Sequence, residues 1–116
     1  MRLAAATCLL LLGAAAATAE PSSCKRSSWR IDNNSPNASA QWEVNADQEC
    51  RAPMNWSDPS TIVSLVTSPS HGTLKIESSA LMIYTPKPGF RGADNFAIMV
   101  RWSGVRGNVQ FAVTVK

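Results

Sequence analysis

The chain predicts an all-β fold, an antiparallel sandwich of about seven strands, on three observations. Two C-terminal windows alternate apolar and polar residues with a period of two. Short β-rich runs are separated at regular spacing by clusters of Pro, Gly, Ser and Asn. No window of useful length carries the three- and four-residue spacing of an amphipathic helix.

The first nineteen residues read as an export signal. Arg2 supplies a positive start, and Leu3 to Ala17 is almost wholly Ala and Leu, interrupted by Thr7, Cys8 and Gly13. Ala17-Thr18-Ala19 places small residues where a signal peptidase inspects the chain. The apolar run falls short of the roughly 20 residues a membrane span needs, and no second run follows. The expected working form is therefore a domain of about 97 residues from Glu20, secreted or periplasmic, with no membrane span.

Cleavage changes the charge and the cysteine arithmetic. The whole chain holds 11 Lys and Arg against 8 Asp and Glu. Arg2 leaves with the signal, so the remaining excess is too small and too scattered to argue for nucleic acid. Of 3 cysteines, Cys8 is discarded and Cys24 and Cys50 remain. An exported domain with two cysteines most often bonds them, the alternatives being free thiols or an intermolecular bond. A Cys24–Cys50 bridge would close a loop of about 25 residues and stabilise the domain by about 3 kcal/mol in the chain-entropy model.

Residues 20–40 are dominated by Ser, Asn and Pro and read as an irregular arm, with one edge strand around Trp29 to Asp32. The sandwich is expected over 41–116. Gln41 to Asn45 is its first short strand, and residues 51–60, with two prolines, Asn55 and Asp58, form a loop. Thr61 to Thr67, Thr73 to Glu77 and Leu81 to Thr85 follow as strands, broken at Ser68 to Gly72 and at Ser78-Ser79. Pro86 to Gly92 is a long turn. In Asn95 to Ser103, Phe96, Ile98, Val100 and Trp102 share one face; in Asn108 to Lys116, Val109, Phe111, Val113 and Val115 do. Gly104 to Gly107 supplies the hairpin turn between them.

Ser68-Pro69-Ser70-His71-Gly72-Thr73-Leu74, followed by Tyr84-Thr85-Pro86-Lys87-Pro88-Gly89-Phe90-Arg91-Gly92-Ala93-Asp94-Asn95-Phe96, resembles the bacterial immunoglobulin-like and cadherin-like repeats of secreted and surface proteins. In those repeats a P-x-H-G turn precedes a strand, and a Y-x-P-x-x-G-(aromatic)-x-G-x-D-x-F segment leads into the penultimate strand. The resemblance covers roughly residues 61–116 and implies an immunoglobulin-like sandwich. It also implies the family's roles as spacer, adhesin stalk or binding module.

Physically the motif residues read as a built corner. Gly72, Gly89 and Gly92 permit positive φ or close backbone approach. Pro86 and Pro88 stiffen the connection. Tyr84, Phe90 and Phe96 form the aromatic filling, and Asp94 accepts backbone N–H bonds within the turn. Cation binding by Asp94 is the sharper alternative, but the Asp-rich clusters of calcium sites are missing.

Catalytic sets are sparse. His71 is the only histidine, which removes His-based zinc and blue-copper sites on count. Ser68 and Ser70 flank it without forming a nucleophile signature. No phosphate loop, dinucleotide fingerprint, CxxC or HExxH occurs, and no cofactor is implied. Glu43, Asp47, Glu49 and Asp58 are an acidic stretch with no sign of convergence. Asn33, Asn37 and Asn55 begin Asn-x-Ser triplets, which matter only in a host that glycosylates exported proteins.

Of the 4 tryptophans, Trp42 and Trp102 are expected in the core. Trp56, in a polar loop, either covers the edge of the core or is the candidate for contact with a partner. The reading is an exported non-enzymatic module that binds or supports an unidentified protein or glycan; the alternative is a small exported enzyme or enzyme inhibitor whose cleft the sequence hides.

Overall fold

The computed structural model describes residues 24–116. The export signal expected over 1–19 and the start of the arm lie outside these residues. The described strands are β1 (Lys25–Arg26), β2 (Asn37–Val44), β3 (Cys50–Pro53) and β4 (Ile62–Thr67), then β5 (Gly72–Glu77), β6 (Leu81–Pro86), β7 (Gly92–Trp102) and β8 (Val105–Val115). They form a five-stranded sheet in the order β1-β2-β8-β7-β4 and a three-stranded sheet in the order β3-β6-β5. The all-β sandwich expected from the alternation, immunoglobulin-like as the resemblance implied, is the fold observed.

The two clearest sequence signals make the centre of the large sheet. β7 and β8 are paired antiparallel from Gly92 opposite Val115 to Trp102 opposite Val105. Phe96, Ile98 and Val100 of β7 and Val109, Phe111, Val113 and Val115 of β8 are buried, while their alternate neighbours face outward. This is the two-residue period of a half-buried strand. Trp42, Phe96 and Phe111 fill the middle of the sandwich. Phe96 and Phe111 stack at 4.6 Å, and Trp42 meets each of them edge-on at 5.3 and 5.2 Å. Aromatic side chains of this size dominate core burial, and offset or edge-on pairs add about 1 kcal/mol beyond it.

One ladder departs from the antiparallel pattern. β2 runs parallel to β8, in register from Asn37 beside Asn108 to Val44 beside Val115. β2 also begins inside the segment read as irregular arm. The reason lies at its first residues: Asn37 Oδ1 accepts the N–H of Asn108 at 3.0 Å. The Pro36 carbonyl packs so close to Gly107 that a Cβ there would sit 1.9 Å from it. A side chain–backbone bond and a glycine contact carry no hydrophobic period, so the sequence pattern misses them.

Other local differences have similar causes. Trp29 to Asp32 is not a strand; the arm pairs instead through β1 with β2, Lys25 opposite Glu43. Cys50–Pro53, expected within or beside a loop, is a strand paired with β6, Cys50 opposite Tyr84. The β7–β8 hairpin turns at Ser103 and Gly104, both at positive φ, rather than over 104–107. Trp102 reaches only half-burial, because its indole N–H is directed to Asn33 Oδ1 at 3.1 Å.

The Cys24–Cys50 disulfide is formed, with a Cα separation of 5.5 Å. It ties the start of the arm, beside the large sheet, to β3 of the small sheet. That cross-tie holds residues 27–31 against residues 52–57 and creates the cleft described next.

Candidate functional site

The motif residues gather at the corner between β6 and β7, and their geometry is that of a structural joint. Asp94 is buried and its carboxylate accepts four donors. Oδ1 takes the N–H groups of Ser70 and Asn95, each at 2.9 Å. Oδ2 takes the N–H of His71 at 3.1 Å and the hydroxyl of Tyr84 at 2.7 Å. Burial, reinforced by the hydrogen bond to Asp94, pushes the Tyr84 phenol well above its ordinary value. The strand break at 68–71 is thereby pinned to β7 and β6.

The remaining motif residues surround this joint. Gly72 lies against β6, where a Cβ would come 2.6 Å from the Thr85 carbonyl oxygen. Gly89 and Gly92 take positive φ, 77° and 138°. The Gly89 N–H is held by Asp47 Oδ1 at 2.9 Å, and the Lys87 N–H by the His71 carbonyl at 2.9 Å. Pro86 ends β6 and is buried. Phe96 is buried beside Tyr84, their rings 6.1 Å apart, while Phe90 covers the outside of the corner.

His71 presents its imidazole flat against Phe90, at 4.3 Å and 3°. Asp94 therefore meets the backbone of His71 and leaves its ring to the aromatic. The acidic stretch is likewise dispersed: Glu43 pairs with Lys116, Glu49 with Arg51, and Asp47 binds Gly89. Asp58 caps its own loop through Ser60 and accepts the Ser103 hydroxyl at 2.5 Å. That hydroxyl, with the Ser60 bonds, holds the Asp58 carboxyl below its ordinary value. Among the described residues no three His, Cys, Asp or Glu side chains are grouped to hold a metal.

A second feature has the shape of a binding site. A cavity of about 440 Å³ opens between the arm at Arg26–Ile31 and the end of β3 with its loop, Ala52–Ser57. Ligand clefts in proteins span roughly 300–1,000 Å³. Trp42 and Met82, both buried, reach its base. Trp29 and Trp56 form its aromatic part, with ring centroids 5.9 Å apart at 58°. Trp29 is braced edge-on against Phe111 at 5.8 Å, and the Trp56 indole N–H is anchored on the Ser79 carbonyl at 2.6 Å.

Trp56, singled out from sequence, is thus half-buried, and its polar atom serves the β5–β6 turn. The ring remains part of the cleft. Trp29 is the residue the sequence reading missed as its companion. The two stand 27 positions apart in a polar background, and the folded arm brings them together.

A sequence model of the bacterial Ig domain family matches residues 33–116. The chain belongs to this family. The match extends beyond the turn motifs into β2 and β3. A comparison with curated proteins finds no match. Among solved structures, one similar chain is an endo-fucoidan hydrolase of glycoside hydrolase family 107, at 8% identity and TM-score 0.48, covering 94% of this chain and 16% of the other. A sialyltransferase from Photobacterium damsela is similar at 15% identity and TM-score 0.40, over 69% of this chain and 18% of that one. A cysteine protease inhibitor from Entamoeba histolytica is similar at 14% identity and TM-score 0.31, over 69% of this chain and 97% of that one. The chain thus spans less than a fifth of the length of the first two.

Proposed function

We propose that this protein is an exported, non-enzymatic immunoglobulin-like module of the cell envelope or extracellular space, and that it binds a protein or glycan partner through the cleft between the arm and the β3 loop. The observation that carries the reading is the pairing of Trp29 with Trp56 beside an open cavity. Two tryptophans held by fixed contacts to Phe111 and Ser79 offer preorganised apolar surface at small entropic cost. Membership of the bacterial Ig domain family supports the non-enzymatic part, as does the engagement of Asp94 and His71 in the corner. The disulfide is compatible with export, because such bonds persist in oxidising compartments.

The test is retention of envelope or extracellular material by the immobilised mature domain, compared with a Ser28→Trp variant. Ser28 is exposed and lines the cleft, so a large ring there fills the space without disturbing the core. Specific material held by the wild type and released by Ser28→Trp supports the reading. Equal retention by both forms overturns the cleft as the contact site.

A further inference from the structure

We propose that the cleft recognises an anionic saccharide, a sugar chain carrying carboxylate or sulfate groups; this rests on the cleft being the partner site. Arg26 and Arg30 line the cleft, and none of the described lining residues is Asp or Glu. The cleft is therefore a cationic depression.

The two arginines stand in different conditions. The Arg26 guanidinium already donates to the Arg51 carbonyl, which fixes its plane at the cleft wall and leaves further N–H groups for a ligand. Arg30 is exposed and forms no hydrogen bond or ion pair with any described residue. A guanidinium offers a planar fork that matches the paired oxygens of a carboxylate or sulfate.

The remaining lining suits a sugar. Trp29 and Trp56 supply aromatic faces whose negative quadrupole attracts the electropositive C–H groups of a pyranose ring. Ser28, Asn55 and Ser57 are exposed, line the same space, and have side chains with no described partner. They are short, neutral donors and acceptors of the kind hydroxyl groups need. The Ser27 hydroxyl oxygen accepts the Gln41 N–H at 2.9 Å and keeps its own proton to donate.

The same wall disfavours an acidic peptide. An extended peptide gains its affinity by adding a strand to a free sheet edge. β3 is the edge of the small sheet that borders the cleft, and β1, the edge of the large sheet, contributes only Arg26 to it. Its Arg51 carbonyl is occupied by Arg26, and Pro53 has no N–H to offer. The main-chain ladder that a peptide would require is thus blocked at two of four residues.

The experiment titrates the mature domain with four probes, following tryptophan fluorescence and heat: an oligogalacturonate, a sulfated dextran oligomer, neutral dextran of equal length, and poly-glutamate. At least one of the two acidic saccharides is expected to bind at least ten-fold more tightly than neutral dextran and poly-glutamate, with affinity falling as salt rises. Arg30→Gln should weaken that binding about ten-fold, the loss of one charge-assisted contact, and leave any neutral dextran binding unchanged. The preference between the two acidic saccharides separates a carboxylate from a sulfate ligand. Poly-glutamate binding as tightly as either acidic saccharide, neutral dextran binding equally, or indifference to Arg30→Gln would each overturn the proposal. Retained envelope material that Ser28→Trp releases, together with no binding of either acidic saccharide, refutes the ligand class while leaving the cleft as partner site. No release by Ser28→Trp refutes the cleft itself.

Discussion

The Tyr84 hydroxyl donates to Asp94 Oδ2 at 2.7 Å in a part of the sandwich from which water is excluded. The two residues stand on adjoining segments of opposite sheets, β6 and β7, so this bond fastens the sheets to each other. Removing the hydroxyl in Tyr84→Phe should cost about 1.5–3 kcal/mol, the usual loss for a buried hydrogen bond to a charged acceptor. Asp94→Ala should cost about 3 kcal/mol or more, because it strands the Ser70 and His71 N–H groups as well as the phenol. Urea unfolding curves of the two variants check the order; equal losses would show that the backbone bonds to Asp94 contribute little.

Alkaline pH should probe the same bond. The folded phenol is raised above the ordinary tyrosine value of about 10, chiefly by burial. As pH climbs through that ordinary value, the unfolded chain loses its Tyr84 proton while the folded chain keeps it, so stability falls. The contribution is complete below about pH 10 and is lost as pH rises toward the folded value. Unfolding measured at pH 8 and pH 11 should therefore show a smaller alkaline loss in Tyr84→Phe than in wild type. Parallel alkaline losses in both proteins would contradict the assignment.

The Cys24–Cys50 bridge spans 26 positions and should contribute about 3 kcal/mol. Replacing both cysteines with alanine is expected to lower the melting temperature by roughly 10–20 °C in calorimetry, given the entropy of unfolding of a domain this size. It should also loosen the arm. Trp29 would then exchange its contact with Trp56 for solvent, and tryptophan emission should shift to the red before global unfolding begins.

Two glycines should differ sharply under the same substitution. Gly107→Ala would drive a methyl group into the Pro36 carbonyl, 1.9 Å away, and should cost about 3 kcal/mol, the upper range for overpacking. Gly89→Ala meets no atom within 4 Å, and its penalty is confined to the positive φ, about 1 kcal/mol. Denaturation midpoints of the pair separate a packing requirement from a conformational one.

Legibility in the sequence followed the physics of each element. β7 and β8 announced themselves because one face of each is buried along its length, which imposes alternation on the side chains. The role of Asp94 was legible because a short carboxylate near a turn has backbone donors within reach. β2 was legible only from Gln41 onward, since Asn37 to Ala40 carry only small or polar side chains while Trp42 and Val44 supply its large buried ones. The cleft was half legible: Trp56 stood out in its loop, whereas Trp29 acquired its meaning through contacts made across the disulfide. Arg26 and Arg30 carry no motif in the sequence, and only the fold places them on one wall without an acid opposite.

The parallel pairing of β2 with β8 also sets a timetable. Residues 37 and 108, the first partners of that ladder, lie 71 positions apart. Closing so long a loop precedes any reward from the contact, which slows folding. A chain emerging N-terminus first from a ribosome or a secretion pore has β2 early and its partner last. Until Val109, Phe111, Val113 and Val115 arrive, β2 and β7 have no strand between them to join the large sheet. The large sheet is thus completed only after β8 is free.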